Sequence, residues 1–196
     1  PLTLGGATLR VEGIETPLFF VSPLQINFVV PWELEGRAQA SVVVTSAGVA
    51  SAAQTVSLAP AAPALFATNQ RGSGQGAVLI SGTASLAAAR GAFPGSRPAA
   101  RGEYLELYAI GLGAVANPPA TGAAAGANPL STTTAVATAT IGGVAAPVVF
   151  SGLAAGFVGL YQINTQVPPD APAGGAVPVV LTIGGVASNT VTVTVE

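Results

Sequence analysis

An internal repeat constrains the fold of this chain more than any other feature of its sequence. Residues 25–58 align without gaps on residues 162–195, at a constant offset of 137 positions and with about 14 identities. Both copies open with Gln-Ile-Asn and continue through Val-Pro, Val-Val and Gly-Val-Ala-Ser. Upstream, residues 13–17 resemble residues 143–147. Self-similarity of this kind indicates duplicated structural units, so we expect two related modules.

Short β-strands are predicted along almost the whole chain. The last of them, Val191–Val195, alternates valine with threonine, which is the period of a strand with one buried face. The pair Gly184 and Gly185 predicts a two-residue hairpin turn, because glycine adopts the positive φ angles that such a turn needs. Ala47 and Gly48 are a weaker counterpart in the first repeat. The predicted strands are Thr8–Val11, Leu18–Val21, Gln25–Val30, Ala40–Thr45, Gln54–Leu58, Ala77–Ile80, Tyr104–Ile110, Ala135–Ile141, Val148–Phe150, Leu160–Val167, Val177–Ile183 and Thr190–Val195.

Short strands separated by Gly- and Pro-containing turns favour an all-β fold with two immunoglobulin-like β-sandwich modules in tandem. Residues 61–196 form the predicted second module, with long loops at 87–100 and 114–134 and about seven or eight strands. Residues 1–60 contain only about five predicted strands, so the first module is expected to be incomplete. The joint between them, Ala59–Pro63, is short and rich in proline, which predicts a semi-rigid connection.

The residue types that are absent exclude most catalytic chemistry. The 196 residues include no His, no Cys and no Met, and all six basic residues are Arg. Catalytic triads, thiolate nucleophiles, zinc sites built on His or Cys, and Schiff-base lysines are therefore excluded. We expect a protein that is not an enzyme and that holds no cofactor. A hydrolase that uses two carboxylates alone remains the enzymatic alternative.

The acidic residues do not predict a metal site either. Glu33 and Glu35 follow the first Gln-Ile-Asn strand, and Asp170 lies near the matching place in the second repeat. Calcium takes about six to eight oxygen ligands, usually from several carboxylates in one loop, and the chain has no Asp-rich loop. We interpret these residues as solvated loop charges.

Charge and hydropathy limit the partners of the chain. The formal net charge of −2 gives no basic patch for nucleic acid. The most apolar stretch, Leu18–Val30, is interrupted by Ser22, Pro23 and two amide side chains, so no membrane span is predicted. The absence of cysteine fits an extracellular or cell-surface protein. A chain that begins with Pro1 is expected to be a processed or partial product.

Three arginines fall in the first predicted long loop or directly after it. Arg90, Arg97 and Arg101 are joined there by Phe93. An exposed loop of this composition offers contacts to a partner or to an acidic glycan. Ordinary solubilising charge is the simpler interpretation.

Aromatic residues provide the other candidate interaction sites. Strand alternation places Tyr104, Glu106 and Tyr108 on one face, either as a solvent-facing stripe or, together with Tyr161, as a flat surface for a glycan. Trp32 is the only tryptophan and follows the first Gln-Ile-Asn strand. We expect it to pack at the junction of the two modules rather than to bind sugar.

Two further motifs predict structural roles. Ile26 and Ile163 are expected to face the cores, while the Gln and Asn beside them bond to backbone at the strand ends, because buried polar groups need partners. The segment Gly111–Gly113 lacks the third glycine of a dinucleotide-binding motif and predicts a tight turn after a strand.

Several of these motifs together resemble a known family. The segment Ser22–Leu34, with the sequence SPLQINFVVPWEL, resembles the signature of an uncharacterised C-terminal domain family that is abundant in secreted proteins of acidobacteria of the Solibacter type. The resemblance covers nearly the whole chain. Its further matches are Ala62–Phe66, Gly74–Ala77, Tyr108–Gly113, Gly159–Asn164 and Ser188-Asn189.

The resemblance implies tandem immunoglobulin-like modules at the end of exported bacterial proteins, with no assigned activity and no catalytic residues. Members of the family normally have a further β-rich stretch before the position of Pro1, which completes the first sandwich. Its absence here implies a first module about two strands short.

Two functions follow as hypotheses. The favoured one is a structural or interaction module that binds other copies of itself, in which an open sandwich accepts a strand from a neighbour and a homopolymeric filament results. Residues 1–7 or Thr190–Glu196 are the candidate donors. The alternative is a module for adhesion, which binds a carbohydrate or another surface as part of a larger secreted protein.

Overall fold

The computed structural model describes residues 1–196 as 17 short strands with one turn of 3₁₀-helix and no α-helix. All named strands pair antiparallel, and the prediction of an all-β fold is confirmed. The 3₁₀ turn, Trp32–Leu34, follows Pro31, whose φ of −62° leads into it.

Seven strands form two small sheets in the N-terminal part, residues 1–60. One sheet has the order β2-β1-β5-β6, with β7 also paired to β5, and the other is the hairpin β3-β4. The strands are β1 (Ala7–Val11), β2 (Ile14–Glu15), β3 (Leu18–Ser22), β4 (Gln25–Phe28), β5 (Gln39–Ser46), β6 (Val49–Ala50) and β7 (Gln54–Ser57).

Ten strands form two five-stranded sheets in the C-terminal part, residues 61–196. One sheet has the order β13-β14-β10-β8, with β9 paired to β10, and the other has the order β12-β11-β15-β16, with β17 paired to β15. Both sheets contribute to one core of 28 buried residues, so this part is sandwich-like. The strands are β8 (Ala64–Leu65), β9 (Val78–Ile80), β10 (Tyr104–Ile110), β11 (Ala137–Ile141), β12 (Val144–Ala146), β13 (Val148–Leu153), β14 (Tyr161–Gln166), β15 (Gly174–Ile183), β16 (Val186–Ala187) and β17 (Val191–Val195).

The internal repeat has the same local structure in both copies. Strands β4 to β7 correspond in order and pairing to β14 to β17. The turn before β16 has positive φ at both Gly184 and Gly185, and the turn before β6 has it at Ala47 and Gly48. The predicted hairpin turn is therefore present, and its weaker counterpart adopts the same conformation.

A serine hydroxyl repeats the same hydrogen bond in each copy. Ser51 accepts the backbone N–H of Val44 at 3.2 Å, and Ser188 accepts that of Leu181 at 3.1 Å. The same hydrogen bond thus occurs at aligned positions, which supports the residue-by-residue alignment of the two repeats.

The amides of the Gln-Ile-Asn blocks differ from what the sequence predicted. Gln25 Nε2 donates to Asn27 Oδ1 at 2.7 Å, and Gln162 Nε2 donates to Asn164 Oδ1 at 2.8 Å. The prediction that they bond to backbone at the strand ends is wrong, because residues two apart on a strand share a face and reach each other directly. Ile163 faces the core as predicted.

Strands β8, β9 and β10 have no counterpart in the N-terminal part. Its core consists of five buried residues only, against 28 in the C-terminal part. The N-terminal part therefore has one complete sheet opposed by a two-stranded hairpin, where the C-terminal part opposes two five-stranded sheets.

The joint between the two parts packs against the segment Gly111–Gly113. The N–H of Ala62 donates to the carbonyl oxygen of Gly111 at 2.8 Å. A Cβ at Gly111 would overlap the carbonyl oxygen of Ala62, and a Cβ at Gly113 would overlap the carbonyl oxygen of Pro60. Both glycines have positive φ. Glycine is thus required here by a close backbone approach as well as by the turn.

The loop at 87–100 packs along the outer edge of β17. Thr194 N–H donates to Ala87 at 3.0 Å, and Ala99 N–H donates to Thr194 at 2.9 Å. This loop explains why Thr194 is buried on the face that alternation alone predicts to be solvated.

Candidate interaction site

The N-terminal part leaves apolar side chains of its interior uncovered on one side. These side chains, which we call the open face, belong to Ile26, Phe28, Val42, Val44 and Val56. None of them is charged, and none reaches the burial expected of a core residue. Uncovered apolar surface of this kind marks a contact surface more often than a solvated one.

The second repeat shows what the same positions look like when they are covered. Val179 and Leu181 are fully buried, whereas the aligned Val42 and Val44 are only half-buried. Ile163 is fully buried, whereas the aligned Ile26 is half-buried. The residue types are nearly the same, so the difference lies in the neighbouring strands.

The last strand of each repeat gives the largest contrast. Val56 in β7 is 40% exposed, whereas the aligned Val193 in β17 is 0% exposed. In the C-terminal part, Leu105 and Leu107 of β10 belong to the same core as Val193 and are fully buried in it. Residues 1–60 contain no counterpart of β10, and Val56 is exposed where Val193 is buried.

The other half of the N-terminal sheet is closed. Leu9 and Val11 of β1 are buried, as Ala139 and Ile141 of β11 are. The hairpin β3-β4 contributes Leu18 to that cluster of five buried residues. The opening is thus confined to the side of β5 and β7.

Strand β4 has a free outer edge beside this opening. Its counterpart β14 pairs with β10 over six residue pairs, from Tyr104↔Gln166 to Ala109↔Tyr161, whereas β4 pairs with β3 alone. A cleft of about 580 Å³ separates Gln25 and Asn27 of β4 from residues of the C-terminal part between Leu65 and Gly72. The space beside β4 is therefore a cleft that the C-terminal part bounds on its other side.

The outer edge of β7 is free as well. In the C-terminal part, Thr192 of β17 donates its N–H to Gly74 at 2.7 Å and accepts the N–H of Gly76 at 2.8 Å. The aligned Thr55 pairs with β5 alone. Unpaired edges with an apolar surface beside them are ready to receive another strand.

A polar face with tyrosines covers the outer side of the sheet that contains β10 and β14. Tyr104 is 43% exposed and Tyr108 is half-buried, and both share this face with Glu106 as predicted. Ser81 Oγ donates to Glu106 Oε1 at 2.8 Å, and the Tyr108 hydroxyl donates to Glu106 Oε2 at 3.3 Å. Burial, and then the charge of Glu106, raise the pKa of Tyr108.

Amides complete this face on the neighbouring strand. In the β10–β14 register, Asn164 lies opposite Glu106, and Gln162 lies opposite Tyr108. The two amides are hydrogen-bonded to each other. The face thus combines a partly exposed aromatic ring with a carboxylate and amide groups.

Tyr161 does not belong to this face. It is buried, and its hydroxyl donates to the carbonyl oxygen of Gly113. Burial raises its pKa to about 12. The prediction that Tyr161 joins Tyr104 and Tyr108 in one flat surface is wrong, because adjacent residues on a strand alternate faces and Tyr161 falls on the core side.

The three arginines of the loop region each have a partner within the chain. Arg97 makes two hydrogen bonds to Glu103, at 2.7 and 2.8 Å, and Arg90 pairs with Glu196 at 3.3 Å. Arg101 Nε donates to the carbonyl oxygen of Ala171 at 2.8 Å. Phe93, also named from the sequence, is half-buried in the loop. Two of these arginines are thus ion-paired and the third is bonded to a backbone carbonyl group.

Trp32 lies at the junction of the two parts, partly buried against the larger core. Its backbone N–H donates to Thr121 Oγ1 at 3.1 Å, and that hydroxyl donates to Glu33 Oε2 at 2.7 Å. The bond from Thr121 lowers the pKa of Glu33. These contacts link the first repeat to the loop at 114–134.

No group of three or more carboxylates is arranged to hold a metal ion. None of the elements is a helix of the length and apolar character needed to cross a membrane. Comparisons with protein-family models, with curated proteins and with solved structures found no match. The resemblance to the Solibacter-type family stays a prediction.

Proposed function

We propose that this chain is a non-enzymatic structural module that associates with other copies of itself, by accepting a β-strand into the open side of its N-terminal part. The observation that carries the proposal is the contrast between the repeats: positions that are fully buried in the second repeat are half-buried or exposed in the first. Extracellular or cell-surface assembly of an exported protein is the setting that we propose for it.

The strand orders support an immunoglobulin-like description of the C-terminal part. Its sheets run β8-β10-β14-β13 and β17-β15-β11-β12, which corresponds to the orders A-B-E-D and G-F-C-C′ of that fold. Strands β1 to β7 then correspond to C, C′, D, E, F and G, with β6 as the short arm of the F–G turn. On this description the N-terminal part lacks the A and B strands.

Strand addition satisfies two requirements at once. The backbone groups at the edge of β4 gain hydrogen-bond partners, and alternate side chains of the added strand cover the open face. No charge is buried in the process, because the open face carries none. Burial of apolar area drives such association.

A charged substitution on the open face tests the proposal. Val56→Asp leaves the isolated chain folded, because this side chain is 40% exposed there, but it places an unpaired carboxylate beneath the added strand. Val49→Asp is the matched control, since Val49 is exposed in the short strand β6, outside the open face.

We expect sedimentation velocity and electron microscopy to show assemblies of the unmodified chain and of Val49→Asp, and monomers of Val56→Asp. Circular dichroism checks that both variants keep the all-β fold. A chain that stays monomeric at every concentration, or a Val56→Asp variant that assembles normally, would show the proposal to be wrong.

A second candidate function rests on the tyrosine face of the sheet that contains β10 and β14. Tyr104, Glu106 and the amide of Asn164 offer an aromatic ring and polar groups to one neutral glycan. We expect Tyr104→Ala to weaken retardation in affinity electrophoresis with neutral polysaccharides, while Ile110→Ala, on the same face and strand, leaves it unchanged. Equal mobility of all three chains in every gel would remove this candidate.

A further inference from the structure

We propose that the strand accepted by the open side is Leu2–Gly6 of a second copy of this chain, placed antiparallel to β4 in the position that β10 holds beside β14. This inference rests on the proposed function and names its donor. It follows from a sequence pattern, from the connectivity and from the bonds that now hold the segment.

The segment repeats the pattern of the strand that is missing. In β10 the core-facing residues are Leu105, Leu107 and Ala109, all fully buried, which gives the pattern Leu-x-Leu-x-small. Residues 2–6 read Leu-Thr-Leu-Gly-Gly and give the same pattern, with glycine as the small residue. Neither the segment nor the open face contains a charged side chain.

The register of β10 on β14 carries over to the new pair. Leu107 lies opposite Ile163, and Glu106 lies opposite Asn164. At the repeat offset of 137, Ile163 aligns with Ile26 of β4 and Asn164 aligns with Asn27. Leu4 of the donor then lies opposite Ile26 and faces the interior, and Thr3 lies opposite Asn27 and faces outward.

Few bonds hold the segment in its own molecule. Leu4 and Ala7 exchange two backbone hydrogen bonds, at 3.0 and 2.9 Å, Leu18 N–H donates to Pro1 at 2.8 Å, and Ala47 N–H donates to Gly6 at 3.4 Å. Leu4 also packs, partly buried, against the smaller core. Leu2 is 47% exposed. Release of the segment loses these four bonds and the packing of Leu4, and the residues freed reach up to about 20 Å from Ala7.

The chain's connectivity excludes insertion into the same molecule. In the C-terminal part, residues 111–136 connect β10 in one sheet to β11 in the opposite sheet. In the N-terminal part, Gly6 is followed directly by Ala7, the first residue of β1. Opposed sheets lie about 10 Å apart and consecutive Cα atoms only about 3.8 Å apart, so the donor has to come from another copy.

The other donor named from the sequence is not available. Residues 191–195 form β17 in the larger core, where Val191, Val193 and Val195 are buried. Their release would open the C-terminal part. The donor and acceptor surfaces of one chain are then different, and such heterologous contacts generate open filaments unless a ring closes.

Disulfide trapping tests the register directly, because the chain has no cysteine of its own. In a chain that carries both Thr3→Cys and Asn27→Cys, the donor thiol of one copy lies opposite the β4 thiol of the next. Cα atoms of such opposed residues are about 4.5–5.5 Å apart. The matched control carries Thr3→Cys and Gln25→Cys, which displaces one thiol by two residues along β4.

After mild oxidation we expect a ladder of disulfide-linked multimers on non-reducing gels from the first chain and only traces from the control. An intramolecular disulfide, or equal ladders from both chains, would overturn the proposed register and donor.

Substitution in the donor separates this inference from the proposed function. Leu2→Asp puts a carboxylate opposite Phe28 in the interior and is expected to raise the concentration needed for assembly about 100-fold. Thr3→Asp, outward-facing in the added strand, is the control and assembles as the unmodified chain does. If Val56→Asp blocks assembly and Leu2→Asp does not, then Leu2–Gly6 is not the donor, while the proposed function of accepting a strand is retained. If neither blocks it, both are wrong.

Discussion

At the scale of single residues, the best-defined ionic contact of the chain is the pair Arg97–Glu103. The carboxylate of Glu103 accepts two bonds from Arg97 and the N–H of Ala100 at 2.8 Å. Chiefly through the bonds from Arg97, this contact holds the pKa of Glu103 below its ordinary value of 4.5. Because the folded-state pKa is lowered, the pair stabilises the fold above the unfolded-state pKa and loses this effect as the pH falls through the folded-state pKa.

Glu103→Gln is therefore expected to lower the free energy of unfolding near neutral pH by about 1–2 kcal/mol. Its stability should also fall less than that of the unmodified chain between about pH 6 and pH 3. Urea denaturation at both pH values measures the effect. Glu15→Gln, at an exposed position of β2, is the control. Parallel losses of stability in all three chains would contradict the prediction.

Residue types also explain one limit of the sequence prediction. The turn glycines 184 and 185 were predicted correctly, because their positive φ angles follow from a local pattern. The second role of Gly111 and Gly113 was not, because it depends on the carbonyl groups of Pro60 and Ala62, about 50 residues away in sequence. Close approaches between distant segments leave no local signal.

At the scale of elements, the side chain of Asn189 makes hydrogen bonds to strand β8 that a neighbouring strand would otherwise provide. Asn189 Oδ1 accepts the N–H of Leu65 at 2.7 Å, and its Nδ2 donates to the carbonyl oxygens of Leu65 and Gly72, at 3.0 and 2.6 Å. It thereby anchors β8 beside the second repeat. The aligned residue of the first repeat is Ala52, where no such strand is present.

Asn189→Ala is expected to cost about 2–3 kcal/mol, because backbone groups of β8 lose their partners. Hydrogen exchange at Leu65 and its neighbours should become faster than in the unmodified chain. The reciprocal substitution Ala52→Asn, at an exposed position, should change stability by less than about 0.5 kcal/mol. Unchanged protection of β8 in Asn189→Ala would contradict this role.

The sequence predicted twelve strands at nearly the observed places, since each combines strand-type residues with turn signals at its ends. It missed β2, β6, β8, β12 and β16, which are two or three residues long. Strands this short carry no alternation of their own and exist through their pairing partners. Tyr104 and Tyr108 were placed on the correct face by alternation, whereas the open face required comparison of burial in the two repeats.

At the scale of the whole molecule, the two parts differ in how much of their surface they bury. The larger core contains residues of both C-terminal sheets, while the smaller cluster depends on β1, β3, β5 and the 3₁₀ turn. Stability in such a chain is uneven, and the part with the smaller core opens more easily. A strand from a neighbour would raise the stability of that part by mass action.

The joint between the two parts packs against Gly111 and Gly113. This packing fixes the orientation of the C-terminal part relative to the open face of the N-terminal part. Trp32 and Thr121 add a second attachment between the two parts. A rigid unit that adds to its own kind through one repeated contact is related to the next unit by a constant rotation and a constant translation. The resulting polymer would have a defined helical twist and rise, and its stiffness would depend on the glycines of the joint.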